Sequence, residues 1–271
     1  MSTGDPKKLA ALLKKLRAAH APKAKDASFD PLAALTPADV FEPRAHEIPG
    51  MGLAVQQLVY SLLLWEASST QARGALKRVR ESLVDLNELR VCAIDDLSHI
   101  LGDRYPLGRE RAMRIRCVFS ELVAQFHGPT IDPVLAMSKR DAKLFLEGLH
   151  GMPLFVVQRI ALLVMNTHAM PVDERLLQLL VAAKVLQPAT DCHHAASWLE
   201  HNVPADDGPL TAMLLQAWSD DEGQPPARPE PSELVSELSS HASPSKRLSR
   251  PKATKSETTK PKKKSPKSAS S

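Results

Sequence analysis

Apolar residues recur at helical spacing along most of the chain, whereas the strict alternation of a half-buried strand is hard to find. Ala112, Ile115, Phe119, Leu122 and Phe126 follow one another at intervals of three and four residues, so they share one face of a helix. The same period predicts helices over residues 52–66, 69–87, 94–101, 108–127, 141–149, 154–167, 173–186, 192–202 and 208–219. The fold class is therefore predicted to be all-α.

Composition divides the chain into three parts. Residues 1–50 combine a basic amphipathic stretch with a region rich in Ala, Pro and Asp, which predicts a loosely ordered lead-in. Residues 51–221 carry the helical pattern, and a chain that is 43% hydrophobic can bury a substantial core there. Residues 222–271 are rich in Lys, Pro and Ser without clear periodicity, so we expect a disordered tail.

The tail concentrates positive charge. Between residues 241 and 271 there are ten Lys and Arg residues and one acid, Glu257. Interspersed prolines prevent a helix, so the segment is predicted to be a flexible polycation that binds DNA by releasing counterions from its phosphates. The densest positions are Lys260, Lys262, Lys263 and Lys264. A solubilising tail without a partner is the alternative.

The cysteines and apolar runs limit the compartment and the cofactors. Cys92, Cys117 and Cys192 are an odd number of widely spaced residues, which gives no disulfide framework and favours a reducing compartment. We find no signal peptide, and no apolar run approaches the roughly 20 residues of a membrane span. The expected location is cytoplasmic or nucleoid-associated, without a membrane.

Four residues of types that bind metal ions lie close together in the sequence near the C-terminal end of the body. Cys192, His193, His194 and His201 are close in sequence, but consecutive helical residues point in different directions and form no evident closed shell of four ligands. No metal is expected.

The segment from Leu144 to Leu186 carries the most specific pattern. It reads as a helix, the turn Leu149-His150-Gly151-Met152-Pro153, an apolar helix and then Val172-Asp173 before the next helix. This order resembles the helix-hairpin-helix DNA glycosylases of the endonuclease III type, whose hairpin reads Leu-Pro-Gly-Val-Gly and whose next helix follows Val-Asp. The segment from Leu62 to Ser69 is similar to the family's Leu-Leu-Ser-Ala-Gln-Ala-Thr-Asp, so the resemblance covers roughly residues 51–220.

The resemblance implies a fold and a partner. It predicts two helical lobes around a cleft, a monomer, and double-stranded DNA bound at the hairpin residues Leu149, His150, Gly151 and Met152. The physics of the turn agrees, because glycine permits close approach of the backbone and the first amides of the next helix attract an anion. A helical hairpin containing glycine without any DNA role is the alternative.

Asp173 is the candidate catalytic residue that the resemblance implies. A carboxylate at this place would support the positive sugar that forms while the base–sugar bond is cleaved. The hairpin and Asp173 are then predicted to face the same cleft. From the residues alone, Asp173 is equally an ordinary cap of helix 173–186.

The chain also departs from the family pattern. Phe155 stands where lyase-type members have the lysine that forms a Schiff base, which leaves no amine there. Pro153 replaces the second glycine and removes one amide donor. Glu66 replaces a glutamine that reaches into DNA in many members. Glu66 and Phe155 are candidates for a base pocket, and their alternatives are an acid at a helix end and a core aromatic.

Two functions remain open at this point. The first is a monofunctional DNA glycosylase of the base-excision-repair type that hydrolyses a base–sugar bond without strand cleavage. The second is a catalytically inactive glycosylase-like protein that binds or packages DNA. No cofactor is expected, because the family's loop of four iron–sulfur cysteines is absent. We also expect Arg111, Arg114 and Arg116 to lie on a solvated face.

Overall fold

The computed structural model describes residues 3–20, Leu35 and residues 52–224. These residues form twelve α-helices, one 3₁₀-helix at Ala205–Asp207 and an isolated antiparallel bridge between Gly4 and Leu186. The α-helices are α1 (Pro6–His20), α2 (Leu53–Leu64), α3 (Ser69–Ser82), α4 (Glu88–Val91), α5 (Ile94–Leu101), α6 (Gly108–Phe126), α7 (Asp132–Leu135), α8 (Lys139–Gly148), α9 (Leu154–Leu163), α10 (Glu174–Ala182), α11 (Cys192–Asn202) and α12 (Gly208–Glu222). The prediction of an all-α fold is confirmed.

The first lobe comprises α2 to α9. Helix α2 is its centre: every residue from Val55 to Leu64 is buried, as expected of a segment that is apolar almost all round. Helix α6 packs against α2, α4 and α5, and α9 packs on both α2 and α8. This arrangement fixes the turn between α8 and α9 on the lobe.

The second lobe brings the N-terminal helix together with the last helices of the described chain. Helix α12 packs against α1 and α10, and α10 contacts α11. Leu9 and Leu16 of α1 are buried, and the Asp5 amide donates to the Val185 carbonyl at 2.8 Å. Residues 3–20 of the predicted lead-in are therefore packed on the body rather than loosely attached to it.

Side-chain caps fix several helix starts. Ser68 and Gln71 form a reciprocal capping box at α3, and Ser138 accepts a hydrogen bond from the Asp141 amide at α8. Asp173 and Asp191 cap α10 and α11 in the same way. The division at residues 50 and 221 stays a prediction, because residues 21–34, 36–51 and 225–271, including the tail lysines, lie outside the described residues.

Candidate functional site

The turn between α8 and α9 forms where the sequence predicts it. Gly151 has a φ of 80°, in the left-handed region that favours glycine, and the Met152 amide donates to the Leu149 carbonyl at 3.1 Å. Pro153 precedes α9 and has no amide hydrogen to donate. Arg114 of α6 donates to the Gly151 carbonyl at 3.0 Å, which ties the turn to the first lobe.

A carboxylate of the chain itself already lies on this turn. Glu121 Oε2, on α6, accepts a hydrogen bond from the His150 amide at 3.0 Å. The amides of His150 and Met152 are thus engaged, so a phosphate would have to be held by Gly151 and the first amides of α9. The charge of Glu121 opposes such an anion.

An open cleft lies beside the turn. Its volume is about 280 Å³, and it is lined by Glu147, Met152, Leu154 and Val157 from the first lobe and by His193 from α11 of the second lobe. Of the four predicted hairpin contacts, Met152 is in the lining of this cleft, whereas Leu149 is buried in the core. The hairpin therefore borders a space between the two lobes.

Asp173 lies at the head of α10, where it is 5% exposed. Its Oδ1 accepts from the Leu176 amide at 2.9 Å, and its Oδ2 accepts from the Glu66 amide at 3.2 Å. Burial raises the pKa of Asp173 above its usual value, although the two amides and the neighbouring Arg175 charge act in the opposite direction. The residue is a structural cap as well as a candidate catalyst.

Glu66 follows α2 and is also buried, with a φ of 55° in the left-handed region. Its Oε1 accepts from the Glu174 amide at 3.0 Å. Glu66 and Asp173 thus form an acidic pair at the junction of the two lobes. The Asp173 carboxylate accepts from the amide of Glu66, and the Glu66 carboxylate accepts from the amide of Glu174, which follows Asp173.

Phe155 and Arg159 line a small cavity next to Asp173. Both are buried, and the cavity, which Asp173, Pro171 and other residues also line, has a volume of about 10 Å³. A cavity of this size holds about one water molecule. Phe155 and Arg159 also contact each other, with the guanidinium carbon 5.8 Å from the ring centroid.

Met152 of the hairpin and Asp173 line two different spaces of the structure, and a single cleft that both face stays a prediction. Met152, Leu154 and Val157 line the open cleft, whereas Phe155 and Arg159 line the small cavity beside Asp173. The reason is the helical period of α9, which sends residues 154 and 157 to one side and residues 155 and 159 to another. The first turns of α9 therefore separate the two spaces.

Sequence reasoning missed three buried arginines that organise this region. Arg111 donates to the Leu62 carbonyl at 2.5 Å and the Leu63 carbonyl at 3.0 Å, so it binds the last carbonyls of α2. The expectation of a solvated Arg111 was wrong, because this side chain is fully buried between Trp65 and Tyr105. Burial lowers the pKa of Arg111, and the carbonyl acceptors compensate for its desolvation.

The other two arginines also donate to backbone carbonyls. Arg175 donates to the Ala67 carbonyl at 2.5 Å and the Ser219 carbonyl at 2.6 Å, so it joins α10 to the end of α2 and to α12. Arg159 donates to the Leu35 carbonyl at 3.1 Å, and burial lowers its pKa to about 10. A charged residue inside an apolar run, as at position 159, is the sequence signal that could have identified such a site.

The cysteines do not fit an iron–sulfur cluster. Cys92 follows α4, Cys117 lies on α6 and Cys192 begins α11. An iron–sulfur cluster requires four cysteine ligands close together, whereas this chain has three cysteines on three separate elements. Burial and the nearby Glu174 charge raise the pKa of Cys192 to about 12, which disfavours the thiolate that a metal ligand requires. Among the described residues, no group of three His, Cys, Asp or Glu side chains is placed to hold a metal ion.

Comparison with solved structures gives the class of fold. The chain is similar to endonuclease III in a trapped covalent DNA intermediate, an estranged-adenine complex, and to endonuclease III in a non-covalent DNA complex. In both cases the TM-score is 0.54 at 11% identity, and the match covers 79% of this chain and 85% of the other. This protein therefore has the all-α fold of endonuclease III.

The sequence comparisons add no family to this fold. No family model matches the chain, and no curated protein matches it. Within the part of the chain that the structure covers, no helix is both long enough and apolar enough to cross a membrane.

Proposed function

We propose that this chain is a DNA-binding protein of the base-excision-repair type that contacts duplex DNA on the hairpin side of its body. The observation that carries the proposal is the hairpin itself, which lies on an endonuclease III fold and borders a cleft of about 280 Å³ between the lobes. Both similar structures are complexes of endonuclease III with DNA. The contact would be to phosphates, which position a protein on a duplex without reading its sequence.

For the chemistry, the proposed catalytic group is Asp173 and the proposed reaction is hydrolysis of a base–sugar bond. A carboxylate there would stabilise the positive charge of the sugar, and the adjoining cavity has room for about one water molecule. Phe155 offers no amine, so no Schiff base forms at that position and the strand is not cleaved. Glu66 and Phe155 would border the base in this proposal.

A second candidate is a DNA-binding protein without catalysis, and one observation favours it. Both oxygens of Asp173 already accept backbone hydrogen bonds, and the cavity beside it has a volume of only about 10 Å³. A base is far larger than this cavity, so it could reach Asp173 only if residues of the lining moved. In this candidate the hairpin and the tail lysines would bind DNA, while the acidic pair would only join the lobes.

Base release decides between the two candidates. The full chain is incubated in excess with a panel of duplexes that each carry one lesion, and release of the base is followed with wild type, Asp173→Asn and Asp191→Asn. Asp191 is the matched control, because it caps α11 as Asp173 caps α10 but is exposed. The glycosylase proposal expects release by wild type and Asp191→Asn and none by Asp173→Asn.

Two further outcomes are informative. Binding to the duplexes without release from any lesion would support the non-catalytic candidate. A covalent adduct trapped by borohydride would contradict the hydrolytic proposal, because it requires an amine that attacks the sugar.

A further inference from the structure

We propose that the exposed cationic face of α1 is a second contact surface for the phosphate backbone of duplex DNA, separate from the hairpin. The inference rests on the proposed function, which supplies duplex DNA as the partner. It concerns a helix that the sequence resemblance, which begins near residue 51, does not cover. The cationic face is defined by Lys7, Lys14 and Lys15, with Lys8 and Arg17 at its edges.

The lysines are directed outward by the packing of α1. Leu9 and Leu16 are each 2% exposed because the helix packs on α12. Successive residues turn by about 100° around a helix, so Lys7 and Lys14 lie on the side opposite Leu9 and Leu16. All three lysines of the face are exposed, and the residues between them on that side are alanines.

The charge of this face is only partly balanced. Asp5 lies 3.7 Å from Lys8, and Asp207 lies 3.3 Å from Arg17. Among the described residues, no carboxylate lies within ion-pair distance of Lys7, Lys14 or Lys15. Lys7 also stands in the first turn, where the helix dipole disfavours a cation, so helix stability does not account for it.

The spacing of the lysines suits a phosphate backbone. Lys7 and Lys14 are seven residues apart, which is a rise of roughly 10.5 Å along the helix. Three steps along one DNA strand advance about 10.2 Å. Lys15 neighbours Lys14 on the adjacent side of the same face, so the three ammonium groups can reach phosphates on one stretch of strand.

An anionic membrane surface is the other polyanion that such a helix could meet, and the packing argues against it. A helix that binds a bilayer inserts an apolar face below the lipid headgroups. In α1 that face is already buried on α12, and the exposed side offers only alanine between the lysines. Duplex DNA requires no apolar insertion.

The test measures duplex affinity of the full chain at several salt concentrations. The variant is Lys7→Gln/Lys14→Gln/Lys15→Gln, and the control is Lys77→Gln/Arg104→Gln/Arg140→Gln, which removes the same charge from exposed positions on α3, after α5 and on α8. Glutamine keeps a helix propensity close to that of lysine, and thermal unfolding verifies that α1 remains docked. Each lost phosphate contact lowers the slope of log affinity against log salt by about 0.9, so we expect a decrease of roughly 2.7 for the variant. The control should change the slope by less than one such contact.

Three other outcomes would contradict the α1 inference, the proposed function or the choice of DNA as the partner. An unchanged slope in the α1 variant, with wild-type binding intact, would overturn the α1 inference and leave the proposed function in place. Absence of any duplex binding by wild type would overturn the proposed function first. Binding to phosphatidylserine vesicles that is lost in the α1 variant, with duplex binding unchanged, would assign the face to a membrane instead.

Discussion

Asp173 and Glu66 each accept a hydrogen bond from the backbone at or next to the other residue, across the junction of the two lobes. Asp173 Oδ2 accepts a hydrogen bond from the Glu66 amide at 3.2 Å, and Glu66 Oε1 accepts one from the Glu174 amide at 3.0 Å. The two residues are 107 positions apart in the chain. Their carboxylates thus join the end of α2 to the head of α10.

The first prediction concerns the Glu66 acceptor. Glu66→Ala leaves the Glu174 amide without its acceptor, and a lost partner in a protein interior costs about 1–3 kcal/mol. Glu66→Gln keeps a side-chain oxygen at the same place, so its loss of stability should be smaller. Urea denaturation measures both variants. Equal stability of Glu66→Ala and wild type would show that this hydrogen bond does not stabilise the lobe junction.

The second prediction concerns pH. Burial raises the pKa of Asp173 above 3.8, so its contribution to stability is complete below that pH and is lost as the pH rises through the raised value. Asp173→Asn cannot titrate at this position. The stability of the variant relative to wild type should therefore increase from pH 4 toward neutral pH.

Asp191→Asn is the control for this titration. Hydrogen bonds from His194 lower the pKa of Asp191, so this carboxylate stabilises the native state above pH 3.8 and loses that effect as the pH falls. The two variants should therefore show opposite signs in urea denaturation followed between pH 3 and pH 7. If the stability of both variants relative to wild type changed in the same direction with pH, burial would not raise the pKa of Asp173 as stated.

The third prediction concerns Glu121 at the hairpin. Its carboxylate accepts from the His150 amide and repels an incoming phosphate. Two unit charges 4 Å apart interact by about 1 kcal/mol in water, so Glu121→Gln should strengthen duplex binding roughly fivefold. Glu81→Gln on α3 makes the same change of charge away from the turn. Fluorescence anisotropy with a labelled duplex measures the affinity of both variants. If Glu121→Gln bound the duplex no more tightly than Glu81→Gln, the hairpin would not be part of the DNA-contacting surface.

Helical period predicted most of the fold, because burial in an all-α chain repeats along each helix. The predicted helix 94–101 matches Ile94–Leu101, and 192–202 matches Cys192–Asn202. The predicted helix 69–87 instead ends at Ser82, and a separate short helix forms at Glu88–Val91. Asp85 and Asn87 lie between them, and such residues compete with helical hydrogen bonds through their own side chains.

The site was less predictable, because its geometry depends on which helices meet. The positions of Gly151 and Asp173 at a turn and a helix head could be inferred locally. The bond between Glu66 and Glu174, the burial of Arg111 and the lining of the Asp173 cavity all involve residues that are far apart in sequence. Periodicity along one helix carries no information on such contacts.

The fourth prediction separates the body from the tail. The structure extends α12 to Glu222, and Arg175 donates to the Gly223 carbonyl at 3.4 Å, so the truncation that preserves the body ends at Gln224. The tail lysines are expected to provide much of the non-specific affinity, and each neutralised phosphate contributes about 0.9 to the salt slope. Removing residues 225–271 should therefore flatten the slope by several units.

Affinity for one duplex at several salt concentrations, measured for the full chain and for residues 1–224, tests the central claim that the endonuclease III-like body binds DNA. The truncated chain should still bind at low salt, more weakly and with a flatter slope, and its affinity should be similar for unrelated sequences because phosphate contacts do not read bases. If the truncated chain remained folded but bound no duplex even at low salt, the body would not be a DNA-binding module and the claim would be contradicted.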